Sequence, residues 1–182
     1  VISICGDSTF FHGSIPALVN AVHNQSNMIQ VVLDNSTTAM TGFQPHPGNN
    51  LNVIGKSALS IDIEALCLSL GCTVTISDPF DLRGTTKTIR NLLKENNGVR
   101  VLILRRECEL YRKKLVKTNP FKMKLNQDLC KGNECGICSR EFRCPALVLD
   151  PKIQKSIIKE DICSGCGVCV DICPFNAISR EE

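Results

Sequence analysis

The chain has 182 residues, of which 43% are hydrophobic and 21% are charged, a composition that excludes wholesale disorder. A net charge of +3 without blocks of like charge, together with only 4% aromatic residues, gives no support for nucleic-acid binding. No apolar run approaches the roughly 20 residues of a membrane-spanning helix, and the first residues are unlike a signal peptide. We therefore expect a cytoplasmic protein with neither nucleic acid nor a membrane as a partner.

The first part of the chain alternates predicted strands and helices. Apolar runs predict strands at residues 1–5, 29–33, 73–77 and 99–104. Periodicity and capping residues predict helices at about 14–23, 61–70 and 85–95. Ser14 is the expected N-cap of the first helix, and Gly71 the expected C-cap of the second. This alternation with short loops is typical of an α/β fold with a doubly wound parallel sheet.

The composition changes near residue 112. Residues 112–124 are basic, contain Asn119-Pro120 and indicate a linker. Beyond them, residues 146–162 can form a hairpin or a short helix between groups of cysteines. We predict two domains, 1–118 and 119–182, of which the second is too small for a large apolar core and needs another source of stability.

Eight of the twelve cysteines lie in the last 53 residues, in two groups that each end in Cys-Pro. The group Cys163-x2-Cys166-x2-Cys169-x3-Cys173 has the spacing of bacterial ferredoxins. In those proteins the first three cysteines bind one [4Fe–4S] cluster and the fourth binds the other. The earlier group is Cys130-x4-Cys135-x2-Cys138-x5-Cys144, which offers its ligands in the same order with looser spacing.

We therefore predict two [4Fe–4S] clusters whose assembly stabilises this domain. The predicted ligands of the first cluster are Cys130, Cys135, Cys138 and Cys173. The predicted ligands of the second cluster are Cys144, Cys163, Cys166 and Cys169. Two zinc sites or a set of disulfides are the alternatives, although zinc sites favour Cys-x2-Cys pairs separated by longer intervals.

A second group of polar residues follows two of the predicted strands. Gly6-Asp7-Ser8 ends the first strand, and Asp34-Asn35 ends the next. Parallel strands bring such residues to one edge of the sheet, where open α/β sheets bind ligands. A carboxylate and an amide oxygen suit Mg²⁺, and the backbone carbonyl of Thr37 is a natural third ligand. The alternative is that these residues only cap turns.

Gly6-Asp7-Ser8 followed by Asp34-Asn35 resembles the diphosphate-binding motif of thiamine diphosphate enzymes, although Gly usually stands at the position of Ser8. With the segments GDSTFFHGSIPALVNAVHNQSN and LDNSTTAMTGFQPHPG and the cysteine groups, the whole chain resembles the α subunits of indolepyruvate ferredoxin oxidoreductases. The resemblance implies thiamine diphosphate held through Mg²⁺ by the Asp7 and Asn35 side chains and the Thr37 carbonyl. It also implies that residues around the cofactor include Gly6, Ser8, Met40, Thr41 and Gly42.

The family's reaction is oxidative decarboxylation of an aryl pyruvate such as indolepyruvate, with coenzyme A as acyl acceptor and an external ferredoxin as electron acceptor. The implied architecture is a thiamine diphosphate-binding sheet, incomplete at its N-terminus, followed by a small α+β ferredoxin domain. The pyrimidine-binding domain would come from missing N-terminal domains or a β subunit, so we expect no activity from this chain alone. The alternative is a stand-alone ferredoxin-type electron carrier with a vestigial α/β part.

Three further features remain open at this level. His12 could face the reacting carbon or lie on the surface, and His46 could line a substrate pocket or a surface loop. The basic residues at 105–106 and 112–114 form either a solvated face or a docking site for ferredoxin.

Overall fold

A computed structural model of the chain describes residues 1–116 and 119–181. The chain divides into two compact units, Val1–Tyr111 and Arg112–Glu182, each of which is described by itself. The predicted domain boundary at residue 118 lies outside the described residues. Among the described residues, no helix combines the length and apolar composition needed to cross a bilayer.

The first unit is built on a four-stranded parallel sheet. Its strands are β1 (Ile2–Gly6), β2 (Met28–Asp34), β3 (Thr73–Ser77) and β4 (Val99–Arg105). The strand order is β1-β2-β4-β3, so the chain skips one position between β2 and β3 and reverses its direction across the sheet only after β3, when β4 enters between them. The register aligns the carboxyl ends of β1 and β2, because Gly6 pairs with Leu33. The residues that follow these two strands therefore leave the sheet side by side.

Helices cover both faces of this sheet. They are α1 (Asp7–Thr9), a π-helical turn (Phe10–Ser14), α2 (Ile15–His23), α3 (Ile63–Ser69) and α4 (Leu82–Lys94). On one face Val32 of β2 packs in a buried cluster with Leu18 of α2 and Cys67 of α3. On the other face Val31 packs in a second cluster with Leu92 of α4. Successive strand residues thus feed opposite faces, and the predicted doubly wound parallel sheet is confirmed.

The first helix differs from its prediction. Helical structure begins at Asp7 immediately after β1, and Ser14 has helical dihedral angles without a capping hydrogen bond from its side chain. Ser14 stands at the N-cap position of α2 as predicted, but its side chain does not cap the helix, because the chain is already helical before it reaches that residue. The helical turn that faces the sheet edge consequently starts at Asp7 and Ser8.

The segment 112–124, predicted as a linker, is partly regular structure. Helix α5 (Glu109–Leu115) precedes the undescribed residues, and strand β5 (Lys122–Leu125) follows them. The helix has an acidic residue in its first turn and three basic residues in its last turn, which complements the helix dipole. Good helix formers therefore prevailed where a basic composition indicated an unstructured connection.

The second unit contains two antiparallel pairs of strands. They are β5 with β8 (Ile178–Glu181) and β6 (Leu147–Asp150) with β7 (Lys155–Ile158), accompanied by the short helix α6 (Val168–Ile172). The β6–β7 pair is the hairpin that was one alternative for residues 146–162. A small core of Met123, Leu147, Cys169 and Ile178 joins the two pairs, and several cysteines pack against it. This is the predicted small α+β ferredoxin-like domain.

Candidate functional site

The carboxylate of Asp7 lies at the carboxyl end of the parallel sheet and is almost fully buried, with 2% of the residue exposed. Its Oδ2 accepts a hydrogen bond of 3.0 Å from the backbone N–H of Asn35, and its Oδ1 accepts one of 2.8 Å from the N–H of Ser8. Asn35 Oδ1 in turn accepts a hydrogen bond of 3.1 Å from the N–H of Thr37. The structure thus links the three residues predicted as magnesium ligands through consecutive hydrogen bonds.

His46 lies directly against this carboxylate. Its Nε2 is 3.1 Å from Asp7 Oδ2, and both side chains are buried. Gly48 donates its backbone N–H to His46 Nδ1, so the neutral ring carries its proton on Nε2. That Nε2 is nevertheless without a well-oriented hydrogen bond. The histidine therefore faces the carboxylate without fully compensating its buried charge.

The loop that carries His46 is held in place from both sides. Asn49 accepts the backbone N–H of His46 through Oδ1 and donates through Nδ2 to the carbonyl of Ser36, both across 2.7 Å. The ring of Phe11 stacks on the imidazole at a centroid distance of 5.5 Å. The sequence left His46 open between a substrate pocket and a surface loop, and it did not indicate this contact with Asp7. The Pro-His-Pro-Gly segment was the signal of a rigid loop, but nothing in it indicated where the loop folds.

These observations test whether the site fits a magnesium ion. A carboxylate, an amide oxygen and a nearby backbone carbonyl are hard oxygen ligands of the type that Mg²⁺ prefers. A buried carboxylate that faces an incompletely bonded histidine also favours a cation beside it. The donor set therefore fits the ion.

The other residues predicted around the cofactor are placed differently. Gly6 and Ser8 flank Asp7 in the chain, whereas Met40 is fully exposed. Thr41 donates its hydroxyl to Gln44 across 2.6 Å, and Gly42 adopts a left-handed conformation with φ of 114°. His12 is exposed and its Nδ1 lies 2.7 Å from the carbonyl oxygen of Ser8. In the described part of the chain, Met40, Thr41, Gly42 and His12 make no hydrogen bond to the Asp7 carboxylate.

The four cysteines predicted for the first cluster line one cavity. Its walls include Cys130, Cys135, Cys138 and Cys173. The remaining walls are largely apolar, among them Leu125, Ile137 and Ile178. Cys173, the fourth predicted ligand, thus lies with three cysteines of the other group, as the ferredoxin pattern predicts.

The four cysteines predicted for the second cluster also lie together. Burial, followed by the electrostatic influence of the Cys166, Cys144 and Cys163 sulfurs, raises the pKa of Cys169 to about 12. Neighbouring thiols disfavour one another's ionisation, whereas a bound metal centre deprotonates its cysteine ligands outright. The donor set therefore fits a cationic iron–sulfur core.

Backbone N–H groups point at the sulfurs in both groups. Gly132 donates to Cys130 Sγ and Gly165 donates to Cys163 Sγ, each across 3.4 Å and each from two residues further along the chain. Ala177 donates to Cys173 Sγ across 3.3 Å. Such donors stabilise thiolate sulfur. The matching glycine donors in the two cysteine groups show that the two groups form an internal repeat. In residues 1–116 and 119–181, no group of three or more His, Cys, Asp or Glu side chains is arranged so that it could hold a single metal ion.

Four of the basic residues whose role the sequence did not decide form contacts within their own units. Arg105 pairs with Asp34 and Arg106 with Asp78, both across 2.8 Å. Arg112 donates to the carbonyl of Ser164 across 3.0 Å, and Lys113 donates to the carbonyl of Asp161 across 3.1 Å. The last two contacts shape the loop that carries Cys163, a role that composition alone did not indicate.

Comparison with protein-family models follows this division. A model described as "Thiamine pyrophosphate enzyme, C-terminal TPP binding domain" matches residues 1–104, and a model described as "4Fe-4S binding domain" matches residues 156–179. The chain belongs to the thiamine pyrophosphate enzyme family, and its second unit carries a 4Fe-4S binding domain.

Individual relatives agree with the resemblance seen in the sequence. The indolepyruvate oxidoreductase subunit IorA of Pyrococcus abyssi is 40% identical over 185 residues, which cover 99% of this chain and 28% of that protein. A ferredoxin of Methanothermococcus thermolithotrophicus is 42% identical over 59 residues, which cover 32% of this chain and 95% of the ferredoxin. Among solved structures, the thiamine diphosphate-dependent 4-hydroxybenzoylformate decarboxylase of Rhodococcus jostii RHA1 aligns with a TM-score of 0.43 and 21% identity over 59% of this chain and 20% of that chain. The match to the P. abyssi subunit confirms the predicted resemblance to the α subunits of indolepyruvate ferredoxin oxidoreductases, and the chain spans about 28% of that relative's length.

Proposed function

We propose that this chain forms the diphosphate-binding and electron-transfer part of a thiamine diphosphate-dependent 2-oxoacid:ferredoxin oxidoreductase. The observation that carries the proposal is the hydrogen bond from Asn35 N–H to the buried Asp7 carboxylate, in a chain that also gathers two sets of four cysteines. A cation site at a sheet edge and a pair of one-electron carriers are both needed for this reaction, and an electron carrier needs only the second.

In this proposal Asp7 and Asn35 bind Mg²⁺ through their side chains, and Thr37 binds it through its carbonyl oxygen. The ion and the helical turn that starts at Asp7 then fix the diphosphate group at the sheet edge. His46 holds the Asp7 carboxylate in place through its contact of 3.1 Å. Thiamine diphosphate, when bound, supplies the electron sink for decarboxylation.

The cysteines perform the redox part of the proposal. Cys130, Cys135, Cys138 and Cys173 bind one [4Fe–4S] cluster. Cys144, Cys163, Cys166 and Cys169 bind the other. Backbone N–H donors to three of these sulfurs stabilise the anionic thiolates, and the apolar walls of the cavity limit contact with water.

The substrate and partners follow from the relatives. We propose an aryl pyruvate such as indolepyruvate as the substrate, coenzyme A as the acyl acceptor and an external ferredoxin as the electron acceptor, in the cytoplasm. The pyrimidine-binding part of the cofactor site would come from other domains or a β subunit, since the chain spans about 28% of the length of the P. abyssi protein.

Two measurements on anaerobically purified protein test the proposal. Iron and sulfide analysis should give about eight of each per chain, with broad visible absorbance that bleaches on reduction. Calorimetry in complex with its partner polypeptides should then show Mg²⁺-dependent binding of thiamine diphosphate. Iron without cofactor binding would favour the simple electron carrier. Zinc in place of iron would contradict both hypotheses.

A further inference from the structure

Ser156 is a buried polar residue beside the cysteines of the first set. It lies in the middle of β7, only 1% of the residue is exposed, and it lines the same cavity as Cys130, Cys135, Cys138 and Cys173. Its Oγ lies 3.3 Å from Cys138 Sγ. No part of the proposed ligand set requires a hydroxyl group at this position.

The chemistry of the pair fixes the direction of the hydrogen bond once Cys138 is a metal ligand. A coordinated cysteine is a thiolate, which can accept a hydrogen bond but cannot donate one. The serine hydroxyl has both capacities, and a buried hydroxyl requires a partner. Ser156 therefore donates its O–H to the Cys138 sulfur.

The internal repeat supplies a comparison within the same molecule. Ser156 precedes Cys163 by seven residues, and Met123 precedes Cys130 by seven residues. Cys138 and Cys169 are likewise the third cysteines of their groups. Met123 packs in the same core cluster as Cys169. The position seven residues before the first cysteine of a group therefore places a hydroxyl beside Cys138 in one half and an apolar thioether near Cys169 in the other. The two halves are therefore not equivalent around these two sulfurs.

We propose that Ser156 is a positioning residue that raises the reduction potential of the cluster bound by Cys130, Cys135, Cys138 and Cys173. This inference rests on the proposed function, because it requires that cluster. Reduction adds one electron and one negative charge to the cluster, and no bond breaks. A hydroxyl that donates to a ligand sulfur stabilises the added charge, so the reduced form gains more from the hydrogen bond than the oxidised form does.

The test is a redox titration of the anaerobically purified chain, followed by electron paramagnetic resonance. Ser156→Ala removes the donor and should lower the potential of one cluster only. At the wild-type midpoint, the ratio of reduced to oxidised cluster should fall on the order of tenfold, which corresponds to about 59 mV for a one-electron couple. Met123→Leu keeps the position equivalent to Ser156 apolar, and it should leave the potential of the cluster beside Ser156 unchanged.

A second pair of variants separates the hydroxyl from the shape of the side chain. Thr and Val are nearly isosteric, so Ser156→Thr should keep the wild-type potential and Ser156→Val should lower it as alanine does. Equal potentials in wild type and in the three variants at position 156, with both clusters assembled, would overturn the inference and leave the proposed function intact. Absence of iron and sulfide from wild-type protein would instead overturn the proposed function, and this inference with it.

Discussion

The Asp7 carboxylate accepts the backbone N–H of Asn35 across 3.0 Å, although the two residues are 28 positions apart in the chain. The bond joins the residues that directly follow two paired parallel strands, so the sheet register itself brings the two proposed ligands together. His46 reaches the same carboxylate oxygen from a distant loop. One buried acidic group therefore organises three segments at the edge of the sheet.

Asp7→Asn should abolish most of the magnesium-dependent cofactor affinity. The amide is close in shape to the carboxylate but neutral, so we expect thiamine diphosphate to bind at least tenfold more weakly, a loss of about 1.4 kcal/mol or more. Calorimetry with and without Mg²⁺ measures the effect. Asp78→Asn is a matched control, since that carboxylate is 42% exposed and pairs with Arg106 at the surface. Equal affinity in Asp7→Asn and wild type would remove Asp7 from the ligand set.

His46→Ala should destabilise the sheet unit more strongly without magnesium than with it. The substitution deletes a buried ring that stacks on Phe11, and it leaves the buried Asp7 carboxylate with one contact fewer. We expect a loss of about 1–3 kcal/mol in the free energy of unfolding without the ion.

Thermal unfolding of the His46 variants, with and without Mg²⁺ and thiamine diphosphate, checks this prediction. His46→Gln retains an N–H donor and should lose less stability than His46→Ala. A loss that is independent of magnesium would show that the histidine contributes packing alone.

The Cys67 thiol should be unreactive in the folded protein. Burial, and after it the nearby Cys72 thiol, raises the pKa of Cys67 from an ordinary 9.0 to about 12. Alkylation at pH 8 followed by peptide mass spectrometry should therefore label Cys67 only after unfolding, while the partly exposed Cys108 is labelled in the native protein.

The same pKa has a consequence for stability. Because the folded-state pKa is raised, the unfolded chain releases this proton first as the pH increases. The stabilising contribution is thus complete below pH 9.0 and is lost progressively as the pH rises towards about 12. Rapid labelling of native Cys67 at pH 8 would contradict both expectations.

Gly132→Ala should prevent the first cysteine loop from closing. Gly132 has φ of 54°, and a Cβ there would lie 2.0 Å from the carbonyl oxygen of Gln154. Gly98→Ala is a matched control, because Gly98 has φ of 57° but open space around the added methyl group. Both variants lose about 1–3 kcal/mol to backbone strain. Only Gly132→Ala should lose iron, as measured by metal and sulfide analysis, so equal iron content in the two variants would refute the steric argument.

Removing the iron should unfold the second unit and spare the first. The second unit has a small core to which several cysteines contribute, so metal binding supplies much of its folding free energy. Oxidation with a chelator should expose the amides of Ala146 and Leu147 to hydrogen exchange. Val101, in the centre of the parallel sheet, should stay protected. Protection of Leu147 in iron-free protein would contradict the prediction.

The sequence predicted the sheet well, because its strands are short apolar runs and the two central strands, β2 and β4, are buried on both faces. The predicted strand at 99–104 corresponds to Val99–Arg105, and the strand at 73–77 corresponds to Thr73–Ser77. The start of α4 was predicted three residues too late, since Gly84 reads as a poor helix former. The structure shows that Gly84 makes room for the Asp81 side chain, which accepts its N–H as the helix N-cap.

The contact between His46 and Asp7 could not be predicted in the same way. It depends on the path of an irregular loop, which is set by two hydrogen bonds of the Asn49 side chain rather than by any periodic pattern. The grouping of the cysteines could be predicted because ligand spacing follows from the geometry of a cluster. The exposure of Met40 to solvent could not be predicted, since the sequence carried no signal of whether that loop turns inward.

Each proposed cluster takes one of its four cysteines from the other group, and this crossing of ligands affects how the protein responds to oxygen. Cys173 lies with the first set although it follows the second set in the chain, and Cys144 lies with the second set although it closes the first group. Loss of either cluster would therefore free a segment that anchors its neighbour. Oxidative damage should spread between the two clusters, so that partially stripped molecules are rare and the population divides into intact and fully bleached protein.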